Sequence, residues 1–350
     1  MAGFSIKDRK NMSLAMQLAA KGKYGVGTNP MVGCVITKDD EIIATGYHQT
    51  YGSDHAEIDA LKKINFSAHG STVYITLEPC SHHGKTPPCI NALIDSGVSR
   101  VIVSSLDPNP LVAGDGIQKL KSSGVKVELG LMDDQNRDLN KGFFSRHERN
   151  RPFVTAKIAM TLDGKIALKN GESKWITSES SRKDVHLLRA SSDAILIGSN
   201  TVLKDNPSLT VRLDENFNNP IRVVVDSKDQ VTDKSLNIFS SNAETLIIDS
   251  SSDSLKKDGR IDLKKLLHSD KLSNINNLLV ESGPILLEAL MKDSLIDEFI
   301  IYIAPKLMGG DSISAFSFNS QSMGDIKNFQ ITEMKQIDED IKLTGHLCED

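Results

Sequence analysis

No stretch of the chain approaches the roughly 20 consecutive apolar residues that a membrane-spanning helix needs. Its first residues, MAGFSIKDRKNMSLAMQLAAKGKYG, hold no continuous apolar block of the kind a secretory leader carries. Only four cysteines occur in 350 residues, too few for a disulfide scaffold, so reduced thiols and a cytoplasmic location are expected. Aromatic residues are scarce at 5%, with a single tryptophan, which leaves no platform for stacking single-stranded nucleic acid. Basic charge is not in excess either. A net charge of -5 excludes the broad cationic face that phosphate-backbone binding requires. A small anionic substrate stays open, because a local basic pocket can sit on an acidic protein.

What is present is the balance of a globular protein, 39% hydrophobic and 25% charged, in a chain long enough for two domains. Met12, Ala15, Met16 and Ala19 recur at helical spacing, and Ser5 with Asp8 has the form of a capping box. Strand-like runs then alternate with helical stretches. Strands are expected at 32–36, 41–46, 71–77, 101–104 and 125–129, with helices at 54–64, 88–96 and 117–122. That alternation indicates the α/β class. The charged segment 145–152, closing on Pro152, is the expected boundary, which gives domains 1–147 and 150–350. A second α/β series follows, with strands at 153–159, 194–197, 221–225, 245–248, 278–280 and 298–303. Several are short continuous apolar runs, as in strands buried on both faces.

Residues 55–57 read His-Ala-Glu and residues 79–89 read Pro-Cys-Ser-His-His-Gly-Lys-Thr-Pro-Pro-Cys. One imidazole and two thiolates give zinc three protein ligands and leave a fourth position for water, the form of a catalytic site. A metal so placed lowers the pKa of its water towards neutrality. Glu57, two residues past His55, is near the metal without sharing its direction, which suits a proton shuttle. His-x-Glu followed by Pro-Cys and a second Cys is the signature of zinc deaminases acting on bases, although here eight residues rather than two separate Cys80 from Cys89. The intervening loop adds His82, His83 and Lys85. Cys34 is read as core.

Together, Asn29-Pro30-Met31-Val32-Gly33, Gly46-Tyr47-His48, His55-Ala56-Glu57, the long Pro-Cys to Pro-Pro-Cys loop and Asp107-Pro108-Asn109-Pro110 resemble the bifunctional riboflavin-biosynthesis deaminase-reductase family. The resemblance implies a cytidine-deaminase-like α/β/α sandwich in which His55, Cys80 and Cys89 hold zinc and Glu57 donates the proton. It further implies that Asn29, His48 and Lys85 contact the pyrimidine or its ribose phosphate. Read singly, these three are equally a turn residue, a strand-end histidine and a solvated lysine.

The second half carries further matches: Phe153 to Ala167, Ser173-Lys174-Trp175-Ile176-Thr177, Arg189, Asp193 to Thr201, Asp205 to Arg212 and Val280-Glu281-Ser282-Gly283-Pro284. They resemble the family's reductase domain, which is similar in fold to dihydrofolate reductase. On residues alone, Glu281 to Pro284 is a turn opening an apolar helix, suited to a phosphate but without Gly-x-Gly-x-x-Gly. The resemblance assigns NADPH contacts to Ala159, Trp175, Thr201, Asp205, Ser227 and the run Gly283, Pro284, Ile285, Leu286, Leu287, Glu288 and Ala289. It assigns substrate contacts to Ser173, Arg189, Leu209, Arg212 and Glu281. Ser282 stands where glycine is more usual.

The expectation is therefore a two-step enzyme. Zinc-dependent hydrolysis of a diaminopyrimidinone carrying a ribosylamino phosphate comes first, and NADPH-dependent reduction of the ribosyl group to ribityl follows. A homo-oligomer without nucleic-acid or membrane partners is expected. The rivals are a deaminase of another nucleoside or of a tRNA base with a non-reductase second domain, and a binding protein keeping the zinc fold without catalysis.

Overall fold

The computed structural model describes residues 3–81, 88–109, 113–215, 217–318 and 320–348. The chain divides into two compact units, Met1–Arg149 and Asn150–Asp350. The first contains α1 (Ile6–Ala20), β1 (Gly33–Lys38), β2 (Glu41–Tyr47), α2 (Ala56–Lys62), β3 (Thr72–Leu77), α3 (Cys89–Asp95), β4 (Arg100–Ser105), α4 (Asp115–Ser122), β5 (Lys126–Leu129), α5 (Asp133–Leu139) and α6 (Lys141–Arg149). Its five-stranded sheet runs β2-β1-β3-β4-β5, antiparallel at β2/β1 and β1/β3 and parallel thereafter.

Side-chain alternation in this sheet divides the core in two. Cys34, Ile36, Val73, Ile75, Val101 and Val103 point to one face, against Ala60 and Leu61 of α2, Leu93 of α3 and Leu120 of α4. Val35, Tyr74 and Ile102 point to the other, against Met12, Ala15 and Leu18 of α1. Apolar burial on both faces makes the α/β/α sandwich. The capping box at Ser5 and Asp8 is formed. Segment 145–152 is not a plain linker, because α6 continues through it to Arg149. The first half of α6 buries Phe143, Phe144 and Ser145.

The second unit contains β6 (Phe153–Thr161), β7 (Lys165–Ala167), α7 (Glu179–Ala190), β8 (Ala194–Gly198), α8 (Ser199–Asp205), β9 (Ile221–Val225), β10 (Thr245–Ile248), β11 (Lys256–Lys257), β12 (Arg260–Ile261), α9 (Leu263–Leu267), β13 (Asn277–Val280), α10 (Pro284–Lys292), β14 (Glu298–Ala304), β15 (Ile313–Ser314), β16 (Phe329–Ile337) and β17 (Asp340–Leu347). The eight-stranded sheet runs β10-β9-β8-β13-β6-β14-β17-β16. It is parallel from β10 to β14 and antiparallel at the β17 and β16 end. Val154, Leu196, Val223, Leu278 and Val280 bury one face beneath α9 and α10. Ile195, Ile197, Val224 and Leu279 bury the other against Val202 and Leu209. Among the described residues no helix is long and apolar enough to cross a membrane.

Candidate active sites

His55 is the N-cap of α2, Cys80 lies in the turn after β3, and Cys89 opens α3. The His55 Nδ1 stands 3.2 Å from the Cys89 Sγ and 3.6 Å from the Cys80 Sγ, and the three donor atoms all lie within 4.8 Å of one another. Ligands of a tetrahedral zinc bonded at 2.0–2.3 Å stand roughly 3.5 Å apart, so the donor set fits that ion. The Cys89 N–H donates to the Cys80 sulfur at 3.3 Å. Contact with the Cys89 thiol, together with the His55 imidazole, holds the Cys80 thiol well below its ordinary value, towards the thiolate a metal needs.

Glu57, the second residue of α2, is buried at 3% exposure. Burial, reinforced by the charge of Cys80, pushes its carboxyl up to about 7, against the pull of His55. His48 is also buried, its ring edge-on to that of His55 with centroids 5.6 Å apart. Burial drives the His48 pKa down, so the ring is neutral. Its Nδ1–H then donates to the Asp54 carbonyl at 3.0 Å, and its Nε2 accepts from the Asn29 amide at 3.1 Å. Asn29, His48 and the His55–Glu57 start of α2 thus converge from three segments. Lys85, with His82 and His83, lies outside the described residues.

In the second unit the candidate residues gather at the carboxyl ends of parallel strands, where open α/β sheets bind ligands. Ala159 lies near the end of β6, Thr201 follows β8, Ser227 follows β9, and Glu281 to Gly283 follow β13. The Gly283 N–H donates to the Thr201 hydroxyl at 3.4 Å, joining the starts of α8 and α10. A Cβ added at Gly198 would stand 3.5 Å from the Ser282 Oγ, so Ser282 turns its hydroxyl towards the end of β8. Gly283 caps α10 and Pro284 is its first residue. Leu286 and Leu287 point into the core, and the Leu287 N–H is taken by the Gly283 carbonyl. Glu288 accepts from Ser317 and, with Ala289, lies on the exposed side. The Ser227 hydroxyl accepts from the Ile261 N–H, and Asp205 closes α8. Trp175 is 65% exposed, with the Arg182 guanidinium 4.6 Å from its ring centre. Ser173 precedes it on the same loop.

Arg189 of α7 makes a bidentate ion pair with Glu281, Nε to Oε1 at 2.6 Å and Nη2 to Oε2 at 3.0 Å, and its Nη1 donates to the Thr210 carbonyl. Burial would raise the Glu281 carboxyl, but Arg189 and then Lys157 hold it at about 2. The Arg212 backbone N–H donates to the His186 Nδ1 at 3.2 Å. Burial, with Arg189 and Arg212 nearby, lowers His186 to about 4, which keeps that ring an acceptor. Leu209 is 3% exposed with φ +52°, so its side chain belongs to the core and its left-handed backbone faces the turn.

Residues 5–105 match the cytidine and deoxycytidylate deaminase zinc-binding region, and residues 152–343 match the RibD C-terminal domain. The riboflavin biosynthesis protein RibD of Escherichia coli (strain K12) is 42% identical over 97% of this chain and 99% of its own length. That of Aquifex aeolicus (strain VF5) is 39% identical, over 95% and 97%. The chain belongs to the RibD family. Among solved structures, Acinetobacter baumannii RibD, form 1, superposes with a TM-score of 0.91 at 38% identity over 98% of this chain and 99% of that one. The deaminase/reductase of Thermotoga maritima gives 0.87 at 34%, over 98% and 99%. This RibD-family chain is a bifunctional enzyme of riboflavin biosynthesis, with a deaminase domain and a reductase domain.

Three residues beside the candidate sites escaped sequence reasoning. Glu78, next to the Pro79-Cys80 turn, accepts from the N–H groups of Asp107, Gly114, Gly116 and Ile117 and ties that turn to the start of α4. Asn140 grips both backbone groups of Met31, two residues past Asn29. Lys157 of β6 is half-buried with its Nζ 4.0 Å from Glu281, and desolvation lowers its pKa against the pull of that carboxylate. Neighbouring sequence marks none of them, because their partners are distant along the chain, 109 positions for Asn140 and Met31.

Proposed function

We propose that residues 1–147 deaminate 2,5-diamino-6-(5-phosphoribosylamino)pyrimidin-4-one and that residues 150–350 reduce its ribosyl group to ribityl, giving 5-amino-6-(5-phosphoribitylamino)uracil. The observation that carries the first step is the convergence of His55, Cys80 and Cys89 donor atoms beside the buried Glu57. These three would hold zinc, which when bound supplies the Lewis acidity that makes water a nucleophile near neutral pH. Glu57 takes a proton from that water and gives it to the amine leaving C2, so water enters and ammonia departs. Asn29 and His48 orient the pyrimidine. Their mutual hydrogen bond fixes the His48 tautomer, and Lys85 adds a cation for the substrate.

In the reductase half, NADPH supplies the hydride and the protein orients it. Ala159, Trp175, Thr201, Asp205, Ser227 and the start of α10 from Gly283 form the cofactor side. Helix α10 offers backbone N–H groups of its first turn to a phosphate. Ser173, Arg189, the Leu209 backbone, Arg212 and Glu281 form the substrate side. Because Glu281 already neutralises Arg189, Arg212 carries the charge left for the substrate phosphate, with its backbone set by neutral His186. Cytoplasmic residence and self-association belong to the same reading.

Incubation of the purified protein with the diaminopyrimidinone phosphate tests this directly. Ammonia is expected without NADPH, and the ribityl product only with it. Ammonia release that requires NADPH, or no release from this substrate, would refute the assignment.

A further inference from the structure

Trp175, the single tryptophan of the chain, stands exposed on the irregular loop between β7 and α7, while the next two side chains, Ile176 and Thr177, are buried. Little apolar burial holds the indole, so its order must come from elsewhere. The backbone of this loop has cationic partners. The Trp175 and Ile176 carbonyls accept from the Lys306 Nζ at 3.3 and 2.6 Å, and the Thr177 carbonyl accepts from the Arg182 Nη1 at 2.7 Å. Three consecutive carbonyls thus take charged donors, and among the described residues no backbone N–H reaches any of them. Such charge-assisted bonds are stronger than neutral ones. The Arg182 guanidinium lies over the indole as well.

Both cations project from fixed places. The Lys306 N–H donates to the Ala304 carbonyl at 2.7 Å, and its carbonyl accepts from the Leu162 N–H at 2.9 Å. Asp163 then takes the N–H groups of Met308 and Gly309, which ties down the chain beyond. Arg182 lies near the start of α7, whose N-cap Ser178 donates its N–H to Asp340 at 2.7 Å. β14 pairs with β6 so that Tyr302 faces Ala159 and Ala304 faces Thr161. Lys306 therefore leaves the sheet beside the strand end that carries Ala159, and its side chain reaches from there to the Trp175 loop.

We propose that Lys306 and Arg182 are positioning residues for the reductase, holding the 175–177 backbone so that the Trp175 indole is in place before the dinucleotide arrives. This rests on the reading that puts Ala159 and Trp175 on the cofactor side. Lys306 fixes the chain that carries the indole, and Arg182 restrains the ring. A loop ordered in advance loses less freedom on binding, and the saving is expressed as affinity.

The full-length enzyme tests this through its one indole, excited where tyrosine does not absorb. NADPH should quench that emission saturably in the unaltered chain. Lys306→Ala should lower the tryptophan anisotropy of the free enzyme and raise the NADPH Kd and KM by roughly three- to tenfold, with a smaller fall in kcat. Arg182→Ala should also lower the anisotropy. Lys306→Arg, which keeps a cation with several donors, should recover most of both losses. Lys306 is exposed, so the thermal midpoint of Lys306→Ala should hold, as should ammonia release, which belongs to the other unit. NADPH binding seen by calorimetry without quenching would take Trp175 off the cofactor side, and this proposal with it. Quenching with an unchanged NADPH Kd in Lys306→Ala would overturn the positioning role and leave the cofactor reading standing. A weakened Kd with unchanged anisotropy would make Lys306 a direct cofactor contact, which also overturns it.

Discussion

Glu57 and Glu281 are both buried carboxyls, and their surroundings push them in opposite directions. Glu57 has burial and the Cys80 charge raising it to about 7, whereas Arg189 and Lys157 overcome burial and hold Glu281 at about 2. The first suits a group that takes and returns a proton, the second a permanent anion that orients cations. Glu57→Gln should therefore keep zinc, measured as metal per chain, while ammonia release falls about 10²–10⁴-fold. Wild-type release from that variant would remove Glu57 from the mechanism. Arg212→Ala should raise the substrate KM of the reductase about tenfold, with NADPH affinity nearly unchanged. The reverse pattern would place Arg212 on the cofactor side. Glu281 also has a pH consequence. Its folded pKa lies below its ordinary 4.5, so the folded state binds fewer protons; the stabilisation is full above 4.5 and fades as pH falls towards 2. Denaturation midpoints of Glu281→Gln should accordingly fall less steeply with acidification than those of the unaltered chain.

Elements carry the site residues, and two close approaches decide where the deaminase elements lie. A Cβ at Gly46 would stand 2.3 Å from the Ala56 carbonyl and 2.5 Å from the Ala60 nitrogen, both backbone atoms of α2. Gly46→Ala must then push α2 off β2, and His55 at its N-cap goes with it. We expect a loss of roughly 1–3 kcal/mol in the first unit and depressed ammonia release. NADPH-dependent reduction of the deaminated product should be retained. Equal loss of both activities would contradict so local an effect. At the start of α1, the Asp8 carboxylate accepts from the Ser5 N–H and hydroxyl, Tyr74 and Arg100, while Arg100 also pairs with Glu128 of β5. These bonds outweigh burial and hold the Asp8 carboxyl well below the ordinary range. Arg100→Ala leaves that buried carboxylate short of its cation and should cost about 2–3 kcal/mol. Sequence reasoning missed the β16 and β17 hairpin, although Ile341, Leu343 and Leu347 of β17 alternate with polar residues. In β16 the register irregularity between Ile331 and Glu333 breaks the alternation, and residues 330–336 are all exposed.

On the scale of the whole molecule, each unit buries its own sheet on both faces and holds its own candidate centre. Removing metal with a chelator should therefore abolish ammonia release, and zinc should restore it. NADPH oxidation with the deaminated product should continue throughout; its parallel loss would tie the second centre to the metal. Local sequence was enough for the α/β class, nearly every central strand and the grouping of His55, Cys80 and Cys89. Apolar alternation is a local property, and the short signature around His55 and Cys80 allows few other chemistries. Only folding fixes how Asn29 reaches His48, which loop Glu78 anchors, that the Leu209 side chain is buried, and that Arg189 is already paired. Those contacts join positions 19 to 92 residues apart, and side chains so distant meet only after the sheets have formed and brought their strand ends together.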